Sequence, residues 1–85
     1  MNQLTVMGLL ITDRIKEAGI TQGVISRYAH IIKSRLGFHE VNDNICSRTG
    51  FILLQIENHS EEVMKLEKEL EEIGGLEIQK MKFNL

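Results

Sequence analysis

The chain has 85 residues, a formal net charge of −2 and one cysteine, Cys46. That length holds a single domain, 1–85, and the near-neutral charge excludes nucleic-acid binding driven by a basic face. A lone thiol excludes an internal disulfide and fits a reducing, cytoplasmic setting.

Met1-Asn2-Gln3 carries no basic n-region and no cleavage site, so no secretory leader is expected. Leu4 to Ile11 then reads as a strand that is apolar on both faces, with Leu4, Val6 and Leu10 on one and Met7, Leu9 and Ile11 on the other. This run is far below the roughly 20 residues of a membrane span. Thr12 and Asp13 supply N-cap chemistry for a helix between Ile15 and Leu36. Gly19 and Gly23 weaken its first half by about 1 kcal/mol each relative to alanine. From Val24 onward a stripe of Val24, Ile25, Tyr28, Ile31, Ile32 and Leu36 predicts a buried helical face ending at Gly37.

Phe38 to Ser47 is a second strand, mostly polar, with Asn42-Asp43-Asn44 as a bulge, and Arg48-Thr49-Gly50 is read as a turn. Phe51 to Ile56 is the strongest strand, again apolar on both faces. Asn58 and Ser60 are alternative N-caps for the second helix, and Asn58 stands in capping-box spacing to Glu61. Val63, Leu66, Leu70 and Ile73 form that helix's buried stripe, its glutamates a solvated outer face, and Gly74-Gly75 stops it. Leu76 to Phe83 is the last strand, with its alternation shifting phase near Met81.

The order β-α-β-β-α-β is the split βαβ pattern of an α+β, ferredoxin-like or ACT-like fold: a four-stranded antiparallel sheet with two helices on one face. In that topology the first and third strands are central and the second and fourth are edges, which matches their apolar and polar compositions. Two helices cover only one face of such a sheet. Whichever face they take, apolar residues of the first and third strands point the other way, and burying a few hundred Å² of them contributes about 8–12 kcal/mol before association costs. The expected partner is therefore a second copy of the chain, in a dimer or tetramer formed through the sheet face or an edge strand.

Chemistry-bearing residues are few. Asp13-Arg14, where the first strand meets the first helix, reads either as an N-cap beside a solvated arginine or as a contact for a small anionic effector. Arg48 is a further ligand-binding candidate; it also stands two positions from Cys46 and is the cation that would lower its thiol pKa, but no third group orients a nucleophile. His30, His39 and Cys46 are residue types of a transition-metal site, without the tight spacing of a recognised motif. His59 precedes the second helix. No phosphate loop or catalytic constellation appears, so neither an enzyme nor a cofactor is predicted. Gly8 marks the close approach of another backbone.

Several short segments together resemble a known family. They are Gly8-Leu9-Leu10-Ile11 with Asp13-Arg14, Ala29-His30-Ile31-Ile32, Arg35-Leu36-Gly37, Ser47-Arg48-Thr49-Gly50 and Gly74-Gly75-Leu76-Glu77-Ile78. In this order they are similar to the iron-only hydrogenase system regulators. The resemblance implies an oligomeric, ACT-like regulatory domain, similar also to the C-terminal domain of the nickel-responsive repressor. It places Asp13 and Arg14 where ACT-like domains meet a small effector. It places His30, His39 and Cys46 near the repressor's nickel ligands, but Val41 stands where a second strand histidine belongs, so that set is incomplete. The chain shows no DNA-binding segment, and any effect on transcription is expected to act through a partner.

Overall fold

A computed structural model describes residues 2–41 and 46–85, with the backbone alone for Arg14 and for residues 38–41 and 46–48. The elements in chain order are β1 (Gln3–Ile11), α1 (Arg14–Arg27), a 3₁₀ turn (Ala29–Ile31), β2 (Ile32–Val41), β3 (Cys46–Glu57), α2 (Ser60–Ile73) and β4 (Leu76–Asn84). The strands form one antiparallel sheet in the order β2-β3-β1-β4. The two apolar strands are central, as their composition predicts, because only a strand with neighbours on both sides can be greasy throughout without exposing an adhesive edge.

Alternation along β1 and β3 sends Met7, Leu9, Ile11, Ile52, Leu54 and Ile56 to one face, where they are buried. The helices close this face with Val24 and Ile25 from α1 and Val63, Leu66 and Leu70 from α2. Ile31 of the 3₁₀ turn completes the core. The α2 stripe holds at the predicted spacing, since i, i+3 and i+7 positions share one side of a helix.

Three boundaries differ from the sequence reading. The first helix ends at Arg27 rather than near Leu36, and Ile32 begins β2. Ile32 and Leu36 lie four apart, a helical spacing, but a register shift between Ile32 and Ser34 puts them on opposite faces of β2. Pairing with β3, Ile32 opposite Ile56 and Leu36 opposite Leu53, decides for the strand. Gly37 is accordingly a strand residue opposite Ile52, not a helix terminator. The second strand starts six residues earlier than read, at Ile32 rather than Phe38, and Arg48-Thr49-Gly50 is inside β3 rather than a turn. The expected Asn42-Asp43-Asn44 bulge lies outside the described residues.

At α2 neither expected cap is used. His59 holds the N-cap position without a side-chain bond, and Ser60 is already helical. Asn58 instead adopts φ 56°, a left-handed conformation that asparagine tolerates better than most side chains. Its Oδ1 accepts from the Gln3 N–H and its own N–H donates to the Gln3 carbonyl, both at 2.9 Å. The would-be cap thus staples the end of β3 to the start of β1. In β4 the shift of alternation near Met81 is a change of face and not of register: Leu76 and Ile78 lie on the helix-covered side, Met81 and Phe83 on the other, and pairing with β1 runs unbroken from Ile11↔Leu76 to Gln3↔Asn84.

Gly19 and Gly23 are exposed within α1, and a Cβ on either would meet nothing within 4 Å. Gly19→Ala and Gly23→Ala are each expected to raise stability by about 0.5–1 kcal/mol, read as a higher urea midpoint.

Candidate functional site

The face of the sheet opposite the helices carries exposed apolar side chains. Leu4, Val6, Gly8 and Leu10 of β1 lie on it, with Phe51, Leu53 and Gln55 of β3. Register adds Leu36 from β2 and Met81 and Phe83 from β4. Leu36 is 58% exposed, Met81 56% and Phe83 47%, whereas Met7 and Leu9 on the other face are fully buried. The unbroken register of β4 is what brings Met81 and Phe83 here, enlarging the patch beyond the β1 and β3 residues the sequence supplied.

Polar groups on this face sit toward its margins and bond to one another. Ser34 donates to Gln55 at 2.7 Å, Lys33 meets Glu57 at 2.9 Å, and Gln79 donates to Glu77 at 3.3 Å. Gly8 lies in the middle. A Cβ there would stand 3.5 Å from the Phe51 ring and 3.6 Å from Leu53. Side chains of β3 stand nearest, and the backbone approach expected from the sequence is the Gln79 carbonyl oxygen of β4 at 3.9 Å, an ordinary contact.

The candidate effector residues occupy one end of the sheet. Asp13 caps α1, its carboxylate accepting from the Ile15 N–H at 3.1 Å and the Lys16 N–H at 3.3 Å. Arg14 is the first residue of α1, and Arg48 lies in β3 beyond the Ile11↔Gly50 pair, so its backbone shares that end. The cap follows from local sequence, because a short carboxylate just before a helix reaches the first free N–H groups. Asp13→Ala is expected to cost about 1 kcal/mol, measured as a shift in urea midpoint.

The metal candidates separate. His39 pairs with Gly50 and Cys46 with Val41 at the end of the sheet near Asp13. His30 lies before β2, at its other end, where Nε2 sits 2.7 Å from the Glu62 carboxylate. At about 3.3 Å per residue, the run from Ile32 to His39 is roughly 23 Å, so one chain does not bring all three to a common ion. Among the described residues no group of three His, Cys, Asp or Glu side chains is placed to hold a metal.

His30 instead lines a shallow groove of about 280 Å³ with Lys33, Glu57, Asn58 and His59. Beside it a second groove of about 350 Å³ is lined by Asn2, Gln3, Asn58, Ser60 and Asn84. These polar grooves follow from the left-handed turn at Asn58, which sequence spacing presented as a helix cap. The enrichment of asparagine in left-handed turns was the one available signal.

The acidic side of α2 is more than a solvated face. Glu69 accepts from Tyr28 Oη and from the Arg27 guanidinium, and Glu67 meets Lys80 of β4 at 2.6 Å. Hydrogen bonds from Tyr28 and then Arg27 hold the Glu69 carboxyl below its ordinary value of 4.5, while the bond to Glu69 raises the Tyr28 phenol above 10.0. A lowered carboxyl pKa stabilises the fold above that group's unfolded value and loses this effect as pH falls through the folded value. A raised phenol pKa stabilises below pH about 10 and loses its effect as pH rises through the folded value. Stability is therefore expected to fall at both extremes, and Tyr28→Phe to flatten both arms of a plot of urea midpoint against pH.

Topology, register and a one-sided pair of helices define the molecule as an ACT-like, ferredoxin-like βαββαβ domain. No protein-family model and no curated protein matches the sequence. Among solved structures, an uncharacterized protein from Thermotoga maritima, TM1266, is similar over 99% of this chain and 100% of its own, with TM-score 0.81 and 15% identity. The ACT domain of a GTP pyrophosphokinase from Chlorobium tepidum matches over 99% of this chain and 90% of its own, with TM-score 0.67 and 17% identity. CPII, a nitrogen regulatory PII-like protein from Thiomonas intermedia K12 seen with ADP, AMP and bicarbonate, matches over 100% and 98%, with TM-score 0.57 and 7% identity. At these identities the likeness establishes the fold. No described helix is long and apolar enough to cross a membrane.

Proposed function

We propose that this chain is a non-enzymatic regulatory domain that binds a small anionic effector and works as a homo-oligomer. The observation that carries the reading is the unpartnered apolar sheet face on a domain whose effector candidates, Asp13, Arg14 and Arg48, have their backbones at one end of the sheet. A domain of this size buries a small core, and self-association supplies burial that a single chain lacks. The shared fold of an ACT domain and of a PII-like protein seen with adenine nucleotides and bicarbonate supports the effector. The segment resemblance to iron-only hydrogenase system regulators points to control of that system, or of its transcription, through a partner.

Calorimetric titration with amino acids, ADP, AMP and bicarbonate tests the effector. Saturable binding that is lost in Arg14→Ala and Arg48→Ala is the expected result. Binding that survives both substitutions, or no saturable binding across the panel, overturns the assignment.

A further inference from the structure

We infer that the open sheet face is covered by a second copy of this chain, stacked sheet against sheet. The inference rests on the homo-oligomer proposed above and specifies which surface joins the copies and how.

The first argument is shape. Strand rise and spacing make the face about 30 Å long and 15 Å wide. One helix, about 10 Å across, leaves part of that width in water. A second copy of the same four-stranded face matches it in length and width, and a two-fold axis sets the apolar patch of one copy against the same patch of the other. Stacked sheets pack at about 10 Å, the distance at which side chains such as Leu53, Phe51 and Val6 interdigitate.

The second argument is the placement of charge. The middle of the face, formed by Val6, Gly8, Leu10, Phe51 and Leu53, carries no ionisable group. Lys33 and Glu57 neutralise each other at one margin, and Glu77 is held by Gln79 toward the other. An apolar centre within a polar rim is the anatomy of a protein interface. The edges offer the opposite. β4 carries Lys80 and Lys82 along its length, and β2 carries Lys33 and Arg35, basic residues of the kind that blunt edge-to-edge pairing.

The third argument is area. Covering the face on two copies removes roughly 900–1,200 Å² from water in total, at or below the lower limit of specific interfaces of about 1,200–2,000 Å². The dimer is accordingly concentration-dependent rather than permanent. That suits a module whose assembly a ligand is to shift, because a ligand moves an equilibrium only where neither state is overwhelmingly favoured.

Sedimentation of the full chain across micromolar concentrations tests the inference. The test variant is Leu36→Lys with Met81→Lys, two substitutions at half-exposed positions that leave the helix-covered core untouched. The control is Met64→Lys, which removes an equally exposed methionine from α2, 66% exposed. Circular dichroism confirms that each variant is folded. The expected result is dimer formation by the natural chain and by Met64→Lys, and a monomer for the double variant at every concentration. A dimer that survives the double substitution, with outward amides of β2 or β4 protected from hydrogen exchange, overturns stacking in favour of edge pairing and leaves self-association intact. Loss of the dimer in Met64→Lys assigns the helical side and overturns the inference. A natural chain that stays monomeric throughout overturns both the inference and the oligomeric part of the proposed function.

Discussion

Replacing Leu9 with alanine is expected to lower the free energy of unfolding by about 2–5 kcal/mol, the cost of deleting most of a buried leucine side chain. Leu9 is fully buried in central strand β1, paired with Ile52 on one side and Ile78 on the other. Small domains hold about 5–15 kcal/mol in all, so this one change removes a large part of the total. The neighbouring Leu10 lies on the open face and is 36% exposed. Leu10→Ala is expected to cost clearly less in dilute, monomeric solution. Urea unfolding of the two variants at low protein concentration measures the contrast, and equal losses would contradict the sidedness of β1. Unchanged slopes would show that the difference lies in stability rather than in the denatured state.

Gly75→Ala has the second largest expected effect, a loss of about 1–3 kcal/mol. Gly75 adopts φ 70°, where a side chain is strained, and a Cβ there would overlap the Glu17 carboxylate. Its carbonyl also accepts from the Thr12 N–H at 3.0 Å, so the turn after α2 is tied to the end of β1. The two sources of the loss are separable. The Glu17 carboxylate is the movable end of a flexible side chain and gives way cheaply, so backbone strain dominates and Gly75→Ala is expected to cost nearly as much in a Glu17→Ala background. Gly8→Ala is the counterpart. Its new methyl group would meet Phe51 and Leu53 at ordinary contact distances, and its backbone is extended within β1, so it is expected to be near neutral. Thermal unfolding of the three variants checks the order.

The proposed interface and the effector candidates occupy different parts of the molecule. The sheet face extends along the full length of β1, and the Asp13 end is where β1 passes into α1. An effector held at that end would touch the same strand whose residues form the centre of the proposed interface, which gives ligand and assembly a common physical element. Calorimetric titration at concentrations above and below the dimer transition would show this as a difference in affinity.

The element order, the central places of β1 and β3, the Asp13 cap and an uncovered apolar face were all legible along the chain. Each follows from local chemistry or from a period of two residues that holds along a single strand. The tertiary fold alone settled where α1 gives way to β2, because the four-residue spacing of Ile32 and Leu36 reads as a helical stripe until β3 supplies hydrogen-bond partners and a register shift turns the two residues to opposite faces. It also decided the use of Asn58, whose side chain could cap the helix after it or clasp the strand before it. The Tyr28–Glu69 and His30–Glu62 contacts join residues 41 and 32 positions apart, and the separation of His30 from His39 and Cys46 is set by the extended path of β2. Distances of that kind depend on how elements fold back on one another, and no spacing along a chain encodes them.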